Sequence, residues 1–393
     1  MTVAELKQVQ TQARDWLINI AAPFWSDAGR TPSGLYAERL DRQGQPNTEY
    51  YRTFVQARQI FSFSAACKKG WSGAGAEQVQ QTVDCLLEKA RRGDGLFVHR
   101  LAYDASVLDA RADLYDQAFI LFGLGAAGDL LCAPRLFDEA ERLLDVLEDR
   151  WSDAAGGFNE GEVVDRSIRR QNPHMHLLEA FSTLYKVSGR QRFGDAAVSI
   201  AELCRTRFID PDTGALLEYF EQDWRPLADV RGQIAEPGHC LEWAWLFEGL
   251  ASIWGDEALM SSDRLTAFAR TRGIDATRGV AINEVLTRGG VHDDKARLWP
   301  QTERMKAAVS RYARTGSDDD GREIINAYRG LEKYFLPDRP ELWMDKMLRD
   351  GTFLDELVPA SSFYHISCGI NELLDLDLAG VQQLQIGCKT AAG

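Results

Sequence analysis

The sequence predicts an all-α chain folded as an (α/α)6 barrel, six helical hairpins closed into a ring. Three observations carry that expectation. Twelve segments place apolar residues at the i, i+3, i+4 spacing of an amphipathic helix. The gaps between them alternate, long then short. Five long gaps hold a glycine followed by an apolar, strand-like run: Gly34-Leu35-Tyr36, Gly95-Leu96-Phe97, Gly157-Phe158, Gly214-Ala215-Leu216 and Gly279-Val280. These glycines lie 61, 62, 57 and 65 residues apart. A period of about 60 residues with two helices in each makes six hairpins.

In chain order the periodic segments are 3–22, 48–70, 76–92, 112–130, 134–150, 173–188, 191–207, 237–254, 259–272, 300–314, 319–334 and 364–376. Pro173 and Pro237 fit first turns, and Asp319 and Asp320 put negative charge near another helix start. The long connectors all fall at one end and are expected as short β-hairpin-like links; a sixth, around Trp343 to Gly351, is less regular. Short connectors such as Ala126-Gly128 and Ser188-Gly189 close the other end. An open solenoid is the alternative, but no polar capping repeat is evident at either end. Without low-complexity segments or Pro- and Ser-rich linkers, residues 1–393 read as a single catalytic domain.

The chain has 393 residues and a formal charge of −14. Such a balance disfavours general binding to nucleic acid or anionic membrane, and no apolar stretch approaches a membrane span. The N-terminus lacks the basic and apolar regions of a signal peptide. The seven cysteines (67, 85, 132, 204, 240, 368 and 388) form no CxxC pair. Reduced thiols in a cytoplasmic protein are expected.

Six histidines are present, and three polar, aromatic-flanked stretches gather four of them. In Arg170-Gln-Asn172-Pro-His174-Met-His176-Leu-Leu-Glu179, His176 and Glu179 share a helix face while His174 and His176 do not. In Glu236-Pro-Gly-His239-Cys-Leu-Glu242-Trp the His-x-x-Glu spacing recurs, and a carboxylate one turn on can fix an imidazole tautomer. Pro359-Ala-Ser-Ser-Phe-Tyr-His365 opens the last helix. Each stretch begins an odd-numbered or inner-layer helix beside a long connector, so all should face one cavity mouth. Arg52, Gln56, Arg58 and Gln59, the run Asp113 to Phe119, and Arg297-Leu-Trp299-Pro-Gln301-Thr-Glu303 join them. Aromatic faces beside Arg, Asn, Gln and Glu edges suit a sugar's C–H face and hydroxyls.

These residues resemble the N-acylglucosamine 2-epimerase superfamily, which includes mannose isomerase, sulfoquinovose isomerase and cellobiose 2-epimerase. The motifs are Gln-Ala-Arg58-Gln, Leu-Tyr115-Asp-Gln-Ala-Phe, Asn172 to Glu179, Glu236 to Glu242, Trp299 to Glu303, and Tyr364-His365, in family order from about residue 25 to 376. The run ending at His365 is similar to the mannose and sulfoquinovose isomerase branch. The resemblance implies an (α/α)6 barrel and proton transfer beside a sugar carbonyl without a metal or other cofactor. It implies Arg58 as the oxyanion partner, His239 and His365 as acid/base groups, Glu242 as the partner orienting His239, and His176 in sugar binding or ring opening. Implied or candidate substrate contacts are Phe54, where relatives often carry tryptophan, Tyr115, Asn172, Glu179, Trp299, Gln301 and Glu303. The expected partner is a monosaccharide, and the expected assembly a monomer or homodimer.

The expected reaction is aldose–ketose isomerisation, mannose to fructose or a close analogue, through an enediolate. His365 would move the C2 proton to C1. Return of the proton to C2 from the opposite face would instead give a 2-epimerase of the N-acylglucosamine, mannose or cellobiose type. Three other readings are an (α/α)6 glycoside hydrolase or lyase using Glu242 and Glu303, a metal site built from the two His-x-x-Glu motifs, and a helical-repeat binding scaffold. A phosphosugar would need clustered cations near the mouth, for which Arg166, Arg169 and Arg170 are the candidates.

Overall fold

The computed structural model describes residues 2–383; Cys388 lies outside them, and the other six cysteines are free thiols. The inner layer is α3 (Thr53–Lys68), α5 (Leu114–Leu130), α7 (Asn172–Ser188), α9 (Pro237–Trp254), α11 (Trp299–Thr315) and α13 (Ser361–Asp375). The outer layer comprises α1 (Val3–Asp15), continued through a π-helical segment into α2 (Ala22–Asp27), then α4 (Gly75–Cys85), α6 (Pro134–Trp151), α8 (Gln191–Leu203), α10 (Asp256–Arg272) and α12 (Asp318–Glu332). Each inner helix packs on the next, and α13 returns to α3, so the ring is closed and not a solenoid. Counting α1 and α2 as one helix, the inner helices are the even-numbered ones, which corrects the odd-numbered assignment.

Hydrophobic periodicity places these helices to within a few residues. The largest difference is at α3, where the expected start at 48 gives way to Thr53 because Tyr50–Arg52 pairs as a strand with Arg100–Ala102. Ala126-Gly128 lies inside α5, and the link to α6 is at 131–133. The small inner glycines serve packing: a Cβ on Gly123 would meet the α3 backbone at Ala57 Cα, 3.4 Å away. A continuous hydrophobic cluster runs from Leu6 to Val381 between the layers.

The long connectors pair with one another around one rim. Arg39–Leu40 pairs with Val358–Pro359, Tyr50–Arg52 with Arg100–Ala102, and Arg169–Arg170 with Tyr219–Phe220. Ile234–Ala235 pairs with Glu284–Leu286, and Ala296–Arg297 with Lys346–Met347. A bridge from Asp113 to Gly161 joins the second connector to the third. The expected links are therefore a belt that holds neighbouring helix starts in register.

The glycine repeat explains how each connector docks. Its glycine turns the chain at positive φ, and in four of the five connectors the backbone one or two residues on is held by a side chain in the first turn of the next inner helix. Gln56 accepts from Tyr36 N at 2.7 Å and donates to its carbonyl at 2.9 Å. Gln117 makes the same pair of bonds to Phe97, and Gln301 to Ala281. In the third connector His174 Nε2 accepts from Phe158 N at 3.0 Å; a Cβ on Gly157 would lie 2.6 Å from that nitrogen. Gln301 is fully buried in this clamp, which corrects its assignment as a substrate contact. Gln301→Leu should lower unfolding stability by about 2–4 kcal/mol, since buried backbone polar groups lose their partner. Chemical denaturation measures that loss, with KM unchanged.

Candidate active site

The inner helices all begin at the belt, and their first two turns surround a cavity of about 250 Å³. Arg58, His176, His239, Glu242 and His365 all line it, as do Tyr115, Asn172 and Trp299. Glu179 and Glu303 stand directly behind this wall, bonded to its histidines. Phe54 is not on the wall; its ring packs 5.1 Å from the Arg58 guanidinium and edge-on to Tyr115. Its ring supports the arginine from the side.

Arg58 is 4% exposed and seated among aromatic rings, 4.3 Å from the Phe119 centroid and 4.8 Å from that of Tyr364. One terminal nitrogen donates to the Tyr115 hydroxyl at 2.7 Å. The π faces favour a cation that has left water, which keeps a permanent positive charge on the cavity wall.

The three cavity histidines differ in their carboxylate partners, and His239 is set apart from the other two. His239 Nδ1 lies 3.0 Å from Glu218 Oε2 and 3.7 Å from Glu236. Burial disfavours its cation, but these two carboxylates overcome that and lift its pKa to about 10. Gln171 donates to the same Glu218 oxygen at 2.8 Å and accepts from Trp243 Nε1. The expectation that Glu242 orients His239 is therefore corrected: Glu218, from the preceding connector, does so. His365 Nδ1 lies 3.0 Å from Glu303 Oε1. Burial, helped by the nearby charges of Arg58 and Lys306, holds this ring well below the ordinary histidine range. His176 pairs with Glu179 at 3.1 Å, and burial lowers it to about 4.

Trp299 lies between the two differently charged rings, its centroid 4.8 Å from His239 and 5.7 Å from His365. Neither carboxylate oxygen of Glu242 has a hydrogen-bond partner, nor does Asn172 Oδ1. Burial and the neighbouring Glu303 raise the Glu242 carboxyl well above its ordinary value. The cavity thus offers unmatched polar atoms to a polyhydroxylated guest. It also offers an imidazolium, a neutral imidazole and a guanidinium, the set needed to donate, accept and stabilise around a carbonyl.

Several carboxylate and imidazole groups come close enough to share an ion, with atoms within 4.8 Å: His176, Glu179 and Glu242; Glu218, Glu236 and His239; Glu242, Glu303 and His365. In the last set Lys306 already places its ammonium 2.5 Å from Glu303 and 3.9 Å from Glu242. Glu303 does not line the cavity, so Glu242 and Glu303 do not flank a cleft as a hydrolytic pair would. Arg166, Arg169 and Arg170 also lie off this wall. Arg169 stacks 3.6 Å from the Trp224 centroid, and Arg170 is held by Glu160 at 2.8 Å.

Sequence reasoning missed Gln171, Glu218, Glu236 and Lys306. A signal for Glu218 exists in the repeat register. Glu38, Glu218 and Asn283 each stand four residues after a connector glycine. Each accepts from the backbone N–H at the entry to the next inner helix, those of Arg52, Glu236 and Arg297.

A ring of this kind with such a wall defines a sugar isomerase or epimerase. Comparison with known proteins agrees: the model of the N-acylglucosamine 2-epimerase (GlcNAc 2-epimerase) family matches residues 34–369. The chain belongs to that family. It is 35% identical over 370 residues to a mannose-6-phosphate isomerase of Rhizobium meliloti (strain 1021), covering 92% of this chain and 95% of the relative. It is 29% identical over 310 residues to a D-mannose isomerase of Thermobifida fusca, covering 71% and 73%. The structure of cellobiose 2-epimerase from Spirochaeta thermophila DSM 6192 superposes with a TM-score of 0.85 at 21% identity, covering 98% and 99% of the two chains. Among the described residues no helix is long and apolar enough to cross a membrane.

Glu218→Gln removes the anion beside His239. The ring should then release its proton well below the value of about 10 that its present partners impose. Titration of the imidazole resonances by NMR reads this directly, and an unchanged midpoint would remove Glu218 from the role.

Proposed function

We propose that the chain acts as one catalytic domain that isomerises a free aldohexose of the mannose type to its ketose, without a metal. The observation that carries this reading is the different pairing of two cavity histidines: His239 faces two carboxylates, Glu218 and Glu236, while His365 faces one, Glu303, which Lys306 shares. His365, the neutral ring, is the base that takes the C2 proton. Arg58 steadies the enediolate oxygen, and His239, the charged ring, assists ring opening as the acid. The proton returns from His365 to C1 on the same face while the O2 hydroxyl proton passes to O1, so a single base completes the carbon-to-carbon transfer. A 2-epimerase would instead return a proton to C2 from the opposite face, which a protonated His239 on that face could supply; the product formed in the assay below distinguishes the two outcomes.

The size of the cavity supports a monosaccharide, because about 250 Å³ lies below the ~300 Å³ at which small-molecule pockets usually begin. Its charge supports an unphosphorylated sugar. The rim arginine, Arg297, faces Glu236 and Asp345, and the three other candidate arginines are off the wall. The mannose skeleton in the names of the R. meliloti and T. fusca proteins supports the choice of hexose.

The test is NMR in heavy water with mannose, glucose, fructose, N-acetylglucosamine, mannose 6-phosphate and cellobiose. Mannose and fructose should interconvert, with solvent deuterium entering only at the transfer carbons. Faster turnover of mannose 6-phosphate would overturn the neutral-sugar assignment, and glucose as the first product would favour epimerisation. His365→Ala and His239→Ala should each cut kcat by about 10²–10⁴-fold, the worth of a general acid or base, with the fold retained by circular dichroism. Near-normal turnover would displace the histidine concerned. Activity should survive chelator treatment; restoration by added divalent metal would count against the scheme.

A further inference from the structure

Lys306 stands one turn after Glu303 on α11 and is fully buried. It does not line the cavity, and the proton transfer above makes no use of it. Its ammonium lies 2.5 Å from Glu303 Oε2, 3.9 Å from Glu242, 3.8 Å from Cys368 Sγ and 3.7 Å from the Trp245 ring centroid. An ammonium withdrawn from water persists only where opposite charge compensates it. Here the compensation divides Glu303 in two. One carboxylate oxygen faces the lysine, and the other lies 3.0 Å from His365 Nδ1.

We propose that Lys306 is a positioning residue: by pairing with Glu303 it holds that carboxylate as the acceptor of the His365 Nδ1–H, leaving Nε2 bare toward the sugar. The inference rests on His365 being the base. Other charged or titratable groups act on the pair from each neighbouring helix: Glu242 on α9, Glu179 on α7, Arg58 on α3, and Cys368 and Glu372 on α13. Lys306 lowers the proton affinity of Glu303 by charge and by direct contact; without the ammonium Glu303 is left among the buried carboxylates of Glu179 and Glu242 and takes up a proton more readily. A protonated Glu303 can turn its new O–H to His365 and donate to Nδ1, which moves the ring's own proton to Nε2. Activity then requires a higher pH to ionise Glu303, so the acid limb of the rate profile moves upward.

The experiment combines kinetics on mannose with 15N NMR of the imidazoles. In the wild type His365 should be the Nδ1–H tautomer at neutral pH. Lys306→Met should lower kcat by about 100-fold or more, leave KM within about threefold, and raise the acid limb by at least about one pH unit. Glu303→Gln together with Lys306→Met removes both charges while the amide oxygen still accepts from Nδ1–H. It should be folded and faster than the single lysine variant. If Lys306→Met does not fold, the double variant is read alone, and the Nδ1–H tautomer in it supports the pairing. A wild-type His365 protonated on Nε2, a Lys306→Met enzyme with unmoved kcat and acid limb, or a double variant that fails to fold would each overturn the inference. Loss of activity in His365→Ala with an indifferent Lys306→Met sinks this inference alone and leaves the isomerase reading standing.

Discussion

The site depends on one electrostatic constraint: charge buried inside an apolar ring must be matched by a partner placed beside it, on the same helix, on a neighbouring helix or on a connector. Arg58, His239 and Lys306 carry positive charge into the interior, and Glu218, Glu303 and Glu179 face them or their neighbours. Leaving one member of a buried pair without its partner costs about 3–5 kcal/mol, so the contacts that cross between inner helices, His365 to Glu303 and Lys306 to Glu242, hold α13, α11 and α9 in register. Register, cavity shape and proton affinities are therefore set together. The opposite states of His239 and His365 follow from this matching: one ring has two carboxylates at its own disposal, while the other shares its single carboxylate with a lysine.

The same structural device recurs around the ring and is put to different uses. A connector glycine turns the chain, and the residue four positions on caps the entry to the next inner helix. Glu38 does this for Arg52, where it also binds the guanidinium. At the equivalent place Glu218 holds the backbone of Glu236 and has its second oxygen left for His239. A scaffold contact has thereby become part of the proton chemistry, at no cost in new secondary structure.

Most of the architecture was legible because helical periodicity and a glycine every sixty or so residues both survive in the sequence. The belt was only half legible: strand-like runs were visible, but their pairing with neighbouring connectors is a consequence of ring closure. The cavity histidines and Arg58 could be read from their scarcity and polar company. Gln301 was misread because a polar residue in the first turn of an inner helix looks like a sugar contact. Its equivalence to Gln56 and Gln117, each twenty residues after its backbone partner, is the pattern that marks a clamp. Glu242 was misread because its spacing from His239 matches that of Glu179 from His176; the helix face is shared, but a nearer carboxylate arrives from the loop. Lys306 was passed over because a lysine one turn from a glutamate usually marks a solvated helix face.

The ring has one seam that no loop bridges, between α1 and α13. It is held by Gln10 donating to the carbonyls of Leu373 and Leu376, and by the strand pair of residues 39–40 with 358–359. His365 is carried on the helix that closes this seam. During synthesis, then, Arg58 leaves the ribosome long before His365, with which it shares the cavity wall. The cavity wall is incomplete until the last inner helix docks beside the first, so completion of the circle and formation of the pocket are a single event.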